Sequence, residues 1–582
     1  MSEDQGMFVP AYPYDEDGEK GLFSRFEPGT RALPAGFQVD SRWMPTPVEI
    51  LFEKDVAVTL RDGVTVYVDV LRPAGTEKVP VIVAWSPYGK SRGNDPRYVD
   101  LFALLGMDTG SVSGLMKFEG PDPAFWCAHG YAVCNPDARG SFNSEGDIRV
   151  WSRSEGEEFY DVVEWLGVQD WCNGKVGGSG NSYLAISQWF AAAEQPPHLV
   201  AIAPWEGMSD IYRDLVMRGG IPDFPFPRQF SQSFVGKNLR EDLVAEAERH
   251  PLMDGLWESK TPVFENITVP AYIVASYSNM IHTPGTFRAW RRLSSTEKWL
   301  RIHNTMEWPD YYEEANLNDL LRFFDHFLKG IDNGWADTPR VRYAVLDLEG
   351  NDQVNLPAAS FPPEDCSDVK YFLDASSHAL RAEAPAADGT VTYDAQSEEG
   401  RASFTLRFDS PTEFVGYPKV RLWVEADGSD DMDLFVFLQK LNGDGEQLEQ
   451  FNVPNHGPIM QELTRHGAAI LKYKGSNGRL RVSMRHLDES RSTESVPVHS
   501  FDRIEKLALG EIVCVDIDLF PIGLALYPGE QLRVVVSGQH LLGGVMPGMG
   551  NVPSDNHGRH VIYAGGRHAS YLQLPLKAAA GD

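Results

Sequence analysis

The chain has 582 residues, 42% hydrophobic and 23% charged, the balance of a folded soluble protein with enough chain for roughly two to four domains. Its 52 basic and 83 acidic residues give a formal charge of −31, spread along the length. That field argues against nucleic acid, anionic membrane surfaces and polyanionic substrates as partners. The five cysteines, odd in number and without CxxC spacing, argue against a disulfide framework or a zinc site and for a reducing compartment. The N-terminal Met1-Ser-Glu-Asp-Gln-Gly lacks the basic and apolar regions of a signal peptide, and no apolar run reaches the length of a membrane span. A cytoplasmic location is the expectation.

Residues 1–48, rich in Pro, Gly and aromatics, read as an extended arm. Alternation on both sides of Asp62-Gly63 predicts a hairpin from Asp55 to Leu71. Val79-Pro-Val-Ile-Val-Ala-Trp and Tyr131-Ala-Val-Cys-Asn are wholly apolar strands of the parallel-sheet type, and helical periodicity follows from Gly156 to Leu166. Further strands are expected at Leu199–Pro204, Ala271–Ala275 and Lys298–Ile302, with a closing helix at Asp319–Lys329 stopped by Gly330. The pattern predicts an α/β domain over 49–210 and 265–335, interrupted by an insertion at 211–264 whose helical periodicity runs from Leu239 to Arg249. Insertions at this edge usually cap the site. From Val341 onward the periodicity changes to two, so residues 340–576 read as a separate all-β sandwich or jelly roll.

One stretch concentrates the chemistry. Trp171-Cys-Asn-Gly-Lys-Val-Gly-Gly-Ser-Gly-Asn-Ser-Tyr-Leu-Ala reads as a strand, a tight turn and a helix from about Tyr183, with Ser182 at the apex. Gly180 and Ala185 supply the small neighbours that a strained apical serine needs. Ser179 is a weaker rival, lacking a following helix at the right distance. A nucleophile so placed needs a base, an acid to orient it and donors for an oxyanion. In α/β-hydrolases the acid and then the histidine follow the serine at the ends of later strands. His303, ending Lys298-Trp-Leu-Arg-Ile, fits the base, and His282 is its rival. Asn279 stands where the aspartate is expected, with Glu206 and Glu307 as alternative acids. The Tyr183 backbone N–H and the Tyr88 phenol are the candidate oxyanion donors.

Several stretches together resemble the CocE/NonD hydrolases, relatives of cocaine esterase, α-amino-acid ester hydrolases and X-Pro dipeptidyl-peptidases. They are Arg61-Asp-Gly-Val-Thr-Val-Tyr-Val-Asp-Val-Leu-Arg-Pro, Ser86-Pro-Tyr-Gly-Lys, Asp137-Ala-Arg-Gly-Ser-Phe-Asn-Ser-Glu-Gly, Gly180-Asn-Ser-Tyr-Leu-Ala and Phe520-Pro-Ile-Gly-Leu-Ala-Leu-Tyr-Pro-Gly-Glu. The resemblance implies an α/β-hydrolase domain with an inserted helical cap and a jelly roll beside the active site. It places the nucleophile on Ser182 and the oxyanion donors on Tyr88 and the Tyr183 amide. The sequence departs from the family pattern at Ala185, where Gly is usual, at Asn279, and in Arg301-Ile-His-Asn-Thr-Met-Glu-Trp, where Glu307 stands near the expected histidine.

These readings predict a serine hydrolase that cleaves a small-molecule ester or amide through an acyl-enzyme on Ser182, with His303 shuttling the proton. No cofactor or metal is implied, and a homo-oligomer is compatible with the sequence. An amino-acid ester hydrolase or aminopeptidase reading a substrate α-amine is the alternative within enzymes. A ligand-binding descendant with an eroded triad is the alternative outside them.

Overall fold

A computed structural model describes residues 6–15, 23–90, 93, 95–465 and 467–578, so residues 1–5 and 16–22 of the expected arm lie outside the described residues. The first part of the chain is organised on an eleven-stranded sheet. Its strands are β1 (Gly29–Leu33), β2 (Ile50–Thr59), β3 (Thr65–Pro73), β4 (Val79–Val83), β5 (Ala132–Asp137), β6 (Cys172–Asn181), β7 (Leu199–Trp205), β8 (Ala271–Ser276), β9 (Lys298–His303), β10 (Val341–Val345) and β11 (Gln353–Ala358). Their spatial order is β11-β10-β9-β8-β7-β6-β4-β5-β3-β2-β1. From β5 to β10 all neighbours are parallel, whereas β1, β2, β3 and β11 run antiparallel to theirs. The chain leaves β4 for β5 on one side and returns to β6 on the other. The crevice outside the carboxyl ends of β4 and β6 is therefore the switch point at which open α/β sheets bind ligands.

The local rules behave as the sequence implies. Asp62-Gly63 closes the β2–β3 hairpin, with Thr59 opposite Thr65 and Leu60 N–H donating to Val64. Helix α1 (Arg153–Gly167) is capped by Ser152 and buries Phe159, Val162, Val163 and Leu166, one stripe at helical spacing. Helices α2 (Tyr183–Ala193), α3 (Thr283–Arg292), α4 (Glu307–Tyr312) and α5 (Glu314–Phe324) follow the strands that lead into the site. After α5 a further helical turn, Asp325–Lys329, stops at Gly330 in the left-handed region, φ 70°. Among the described residues no helix is long and apolar enough to cross a membrane.

Two expectations need correction. The helical run predicted from Leu239 begins only at Leu243, because Leu239–Glu241 is a strand paired with Phe8–Pro10 of the arm and Asp242 caps the helix. Val341–Val345, assigned to the β domain from its alternation, is β10 of the first sheet and lies parallel to β9. Period two is the same for an edge strand of either sheet, so the sequence could not separate them. The all-β part accordingly begins with the strand Cys366–Asp374, and among the described residues thirteen of its strands form one hydrogen-bonded network, with Gln450–Phe451 and Lys472–Tyr473 pairing separately. Its strand Asp433–Leu441 is buried at every position, so both of its faces are covered. The two sheets touch through backbone: Leu346 N–H donates to Gly523 and Ala525 N–H to Leu346.

Candidate active site

From Val176 to Phe190 every residue is buried except Ser182. It sits between β6 and α2 at φ 53°, ψ −119°, a strained conformation for a side chain with a Cβ. Its N–H donates to Glu206 O at 3.1 Å, which anchors the turn to the end of β7. The turn closes because Gly180 adopts φ 137°, and a Cβ there would lie 2.6 Å from Leu184 Cβ and 3.0 Å from Glu119 O. Ala185, in place of the usual glycine, is accommodated from the other side: a Cβ on Gly207 would come within 2.9 Å of Ala185 Cβ. Gly180→Ala is therefore expected to cost about 2–4 kcal/mol and to misplace Ser182. Thermal denaturation alongside the rate of fluorophosphonate labelling checks both effects, and wild-type values for both would refute the elbow argument.

The loop after β4 presents Tyr88, whose phenol is close enough to Ser182 for that hydroxyl to act on its acidity. Burial first, then Glu119, holds that phenol well above the ordinary tyrosine range, so it stays a donor. The loop is held from behind. Lys90 N–H donates to Asp137 Oδ1 at 2.7 Å, and Lys90 Nζ lies 3.0 Å from Asp137 Oδ2 and 2.7 Å from Asp55 Oδ1. Tyr183, the first residue of α2, has an N–H that no helix carbonyl can accept. The Tyr88 and Tyr183 rings meet edge to face at 5.7 Å, which brings the residues of the two expected oxyanion donors together. Trp151 and Phe230 stack at 5.3 Å with 4° between their planes, and Phe230 contacts both Tyr88 and Tyr183. They form an aromatic wall to which the insertion contributes Phe230.

The carboxylates converge on Asn279. Its Oδ1 accepts the N–H groups of Ile281 and His282, at 3.1 and 3.2 Å. The amide orientation is thereby fixed, and Nδ2 donates to Glu206 Oε2 at 2.8 Å and Glu307 Oε2 at 2.7 Å. Glu307 opens α4 and is buried. Burial first, then Glu206 and Glu119, raises its carboxyl well above the usual glutamate range. Glu119 accepts from Trp308 Nε1 at 2.8 Å and is pushed up to about 8 by burial. Both act electrostatically on Tyr88, so the acids lie near the loop that presents it.

The histidines lie elsewhere in this network. His303, expected to serve Ser182, has its Nε2 3.0 Å from Glu206 Oε1, although the two atoms lack hydrogen-bond alignment. Its Nδ1 accepts Thr305 N–H at 3.1 Å and lies 3.4 Å from Asp310 Oδ1. Nδ1 is thus engaged, while Nε2 faces Glu206. His282 is fully buried, which lowers it to about 3, and its Nε2 lies 3.7 Å from Glu307 Oε2, beyond hydrogen-bond reach. Glu119 was not foreseen. It stands in Lys117-Phe-Glu-Gly-Pro-Asp-Pro, whose turn residues read as loop, and nothing in that composition says that the carboxylate points inward.

Comparison with known proteins agrees with this architecture. Residues 62–241 match the model of the X-Pro dipeptidyl-peptidase (S15 family), and residues 333–573 that of the X-Pro dipeptidyl-peptidase C-terminal non-catalytic domain. A CocE/NonD family hydrolase from Staphylococcus aureus superposes with a TM-score of 0.83 at 35% identity, covering 91% of this chain and 94% of its own. A Mycobacterium bovis protein whose name places it among the serine esterases is 23% identical over 89% of this chain and 94% of its own. The cocaine esterase of a Rhodococcus species is 35% identical over 27% of this chain and 24% of its own.

Proposed function

The chain belongs to the CocE/NonD family of serine hydrolases, and on that premise we propose that it cleaves a small carboxylic ester through an acyl-enzyme on Ser182, with Glu307 as the proton acceptor. One observation carries the reading: Asn279 donates to Glu307 where the family pattern has aspartate and histidine. The two replacements make sense together. A histidine base gains positive charge when it takes the serine proton, and an aspartate stabilises that charge. A carboxylate base loses its negative charge instead, so it calls for a neutral donor, and a second carboxylate would repel it.

In this mechanism Ser182 Oγ attacks the ester carbonyl carbon while its proton passes to ionised Glu307. The carbonyl π pair moves to oxygen, and the Tyr88 phenol and the Tyr183 N–H stabilise it. Negative charge thus shifts from Glu307 to the oxyanion without a change in the net charge of the pocket. The tetrahedral species collapses, the alkoxide leaves with the proton from Glu307, and water repeats the sequence on the acyl-enzyme. The Trp151, Phe230 and Tyr88 rings favour an apolar or aryl acyl group.

The test is the intact mass after fluorophosphonate exposure, with peptide mapping. One adduct at Ser182 is expected in wild type and in His303→Gln, and none in Ser182→Ala. Labelling that fails in wild type would favour a cleft that binds ligand without cleaving it. A second substrate class is favoured by the mutual proximity of the carboxylates Glu119, Glu206 and Glu307: an ester or amide bearing an α-ammonium. Paired substrates with and without a free α-amine distinguish the two, and a large preference for the amine would select the second.

A further inference from the structure

A cavity of about 100 Å³ lies where the insertion, α3 and the β domain meet, with room for several waters or one small anion. Five guanidinium groups line it: Arg213 and Arg218 from the insertion, Arg288 and Arg291 from α3, and Arg479 from the strand Ser476–Arg481. Asp518 is the acidic residue in that lining, and it is exposed. This runs against the composition of a chain that carries 83 acids to 52 bases.

The local charges do not close. Arg213 pairs with Asp210 at 2.7 Å, and Arg288 pairs with Asp214. Asp223, however, is shared: it lies 2.8 Å from Arg479 and 3.5 Å from Arg218, so one buried carboxylate serves two buried guanidiniums. Burial first, then the nearby Arg479, pushes Arg218 down to about 9. Among the described residues, Arg479 Nη1 has no hydrogen-bond partner, although Arg479 is only 7% exposed. Arg291 lies over the Tyr417 ring at 4.7 Å. A buried, unpartnered guanidinium N–H beside a half-open cavity with surplus positive charge is an arrangement that binds oxyanions, because the planar fork meets two oxygens at once.

We propose that this cavity is a binding site for a small oxyanion, a phosphate or a carboxylate, held by Arg479 and Arg218 with Arg291 at its rim. The site is separate from Ser182. Asn477, two residues before Arg479 on its strand and also in the lining, donates to Met280 Sδ at 3.5 Å, next to Asn279. The chain's overall negative field opposes adventitious anion binding, so an anion that binds must do so through local geometry.

Isothermal titration calorimetry of the full chain with inorganic phosphate, and separately with citrate, tests the proposal. Saturable binding of one anion per chain is expected, and the tighter of the two identifies the class. Arg479→Gln is expected to weaken it about tenfold or more, the size of one lost charged fork. Arg291→Gln, at an exposed position, is expected to weaken it about threefold while leaving the fold intact. If Arg479→Gln does not fold, Arg291→Gln decides. Absence of saturable binding for both anions, or affinity unchanged in the folded variants, overturns the proposal.

Discussion

Glu307→Gln lowers kcat/KM toward a neutral carboxylic ester by roughly 10²–10⁴, the usual contribution of a positioned base. The replacement keeps the shape, and its amide oxygen can still accept from Asn279, so the loss isolates proton acceptance. The pH dependence carries the sign. Glu307 acts as a base only when ionised, and burial together with Glu206 and Glu119 holds it protonated to well above the ordinary glutamate range. Activity is therefore expected to rise with pH, through a midpoint well above the ordinary glutamate range. Asn279→Asp, which sets a second negative charge against Glu307, should move the midpoint further alkaline. Steady-state rates across pH on wild type and both variants check this. A Glu307→Gln variant with wild-type rates would remove Glu307 as the base, and a collapse on His282→Gln instead would install His282.

Lys90→Met is expected to destabilise the fold by about 3–5 kcal/mol, because it leaves a group of buried carboxylates without their shared cation. Lys90 contacts Asp55 and Asp137 directly, and Asp69 lies close enough to contribute to its raised pKa. Asp69 is already pushed up to about 6 by burial, despite Lys90. Without Lys90, Asp55 loses a cation that holds it below the usual carboxylate range and Asp69 rises further, so their neutral forms are favoured and the variant recovers relative to wild type as the pH falls. The stability deficit at pH 8 should therefore shrink at pH 5, as measured by thermal unfolding at both values. A deficit that is constant with pH would mean that packing, and not charge, accounts for the loss. Methionine keeps the backbone N–H that holds the Ser86–Lys90 loop to Asp137, so Ser182 labelling of the folded variant is expected to persist.

How much was legible in the sequence depended on the range of the interaction. The hairpin at Asp62-Gly63, the apolar parallel strands, the helix after Ser152 and the elbow at Ser182 are determined by local chemistry: turn residues, burial period, a cap and glycine at crowded positions. Each can be read within about ten residues. The change from α/β to all-β was visible as a change of period. Its boundary was not, because β10 alternates like the β domain and only pairing with β9 assigns it.

The acid–base arrangement belongs to the tertiary structure. Asn279, Glu206, Glu307 and Glu119 come from four separate segments, and whether a carboxylate is paired, protonated or aimed at Ser182 depends on what is packed around it. The sequence located Ser182, Tyr88 and Asn279 as candidates and marked Glu307 as a departure. It favoured His303 because a histidine ends the right strand; the structure places that ring beside Glu206 and Asp310, with its Nδ1 accepting Thr305 N–H. Sequence determined where a nucleophile could stand, since backbone strain is local. Which group could take its proton depends on burial and neighbouring charge, which are set by the folded chain and are not local.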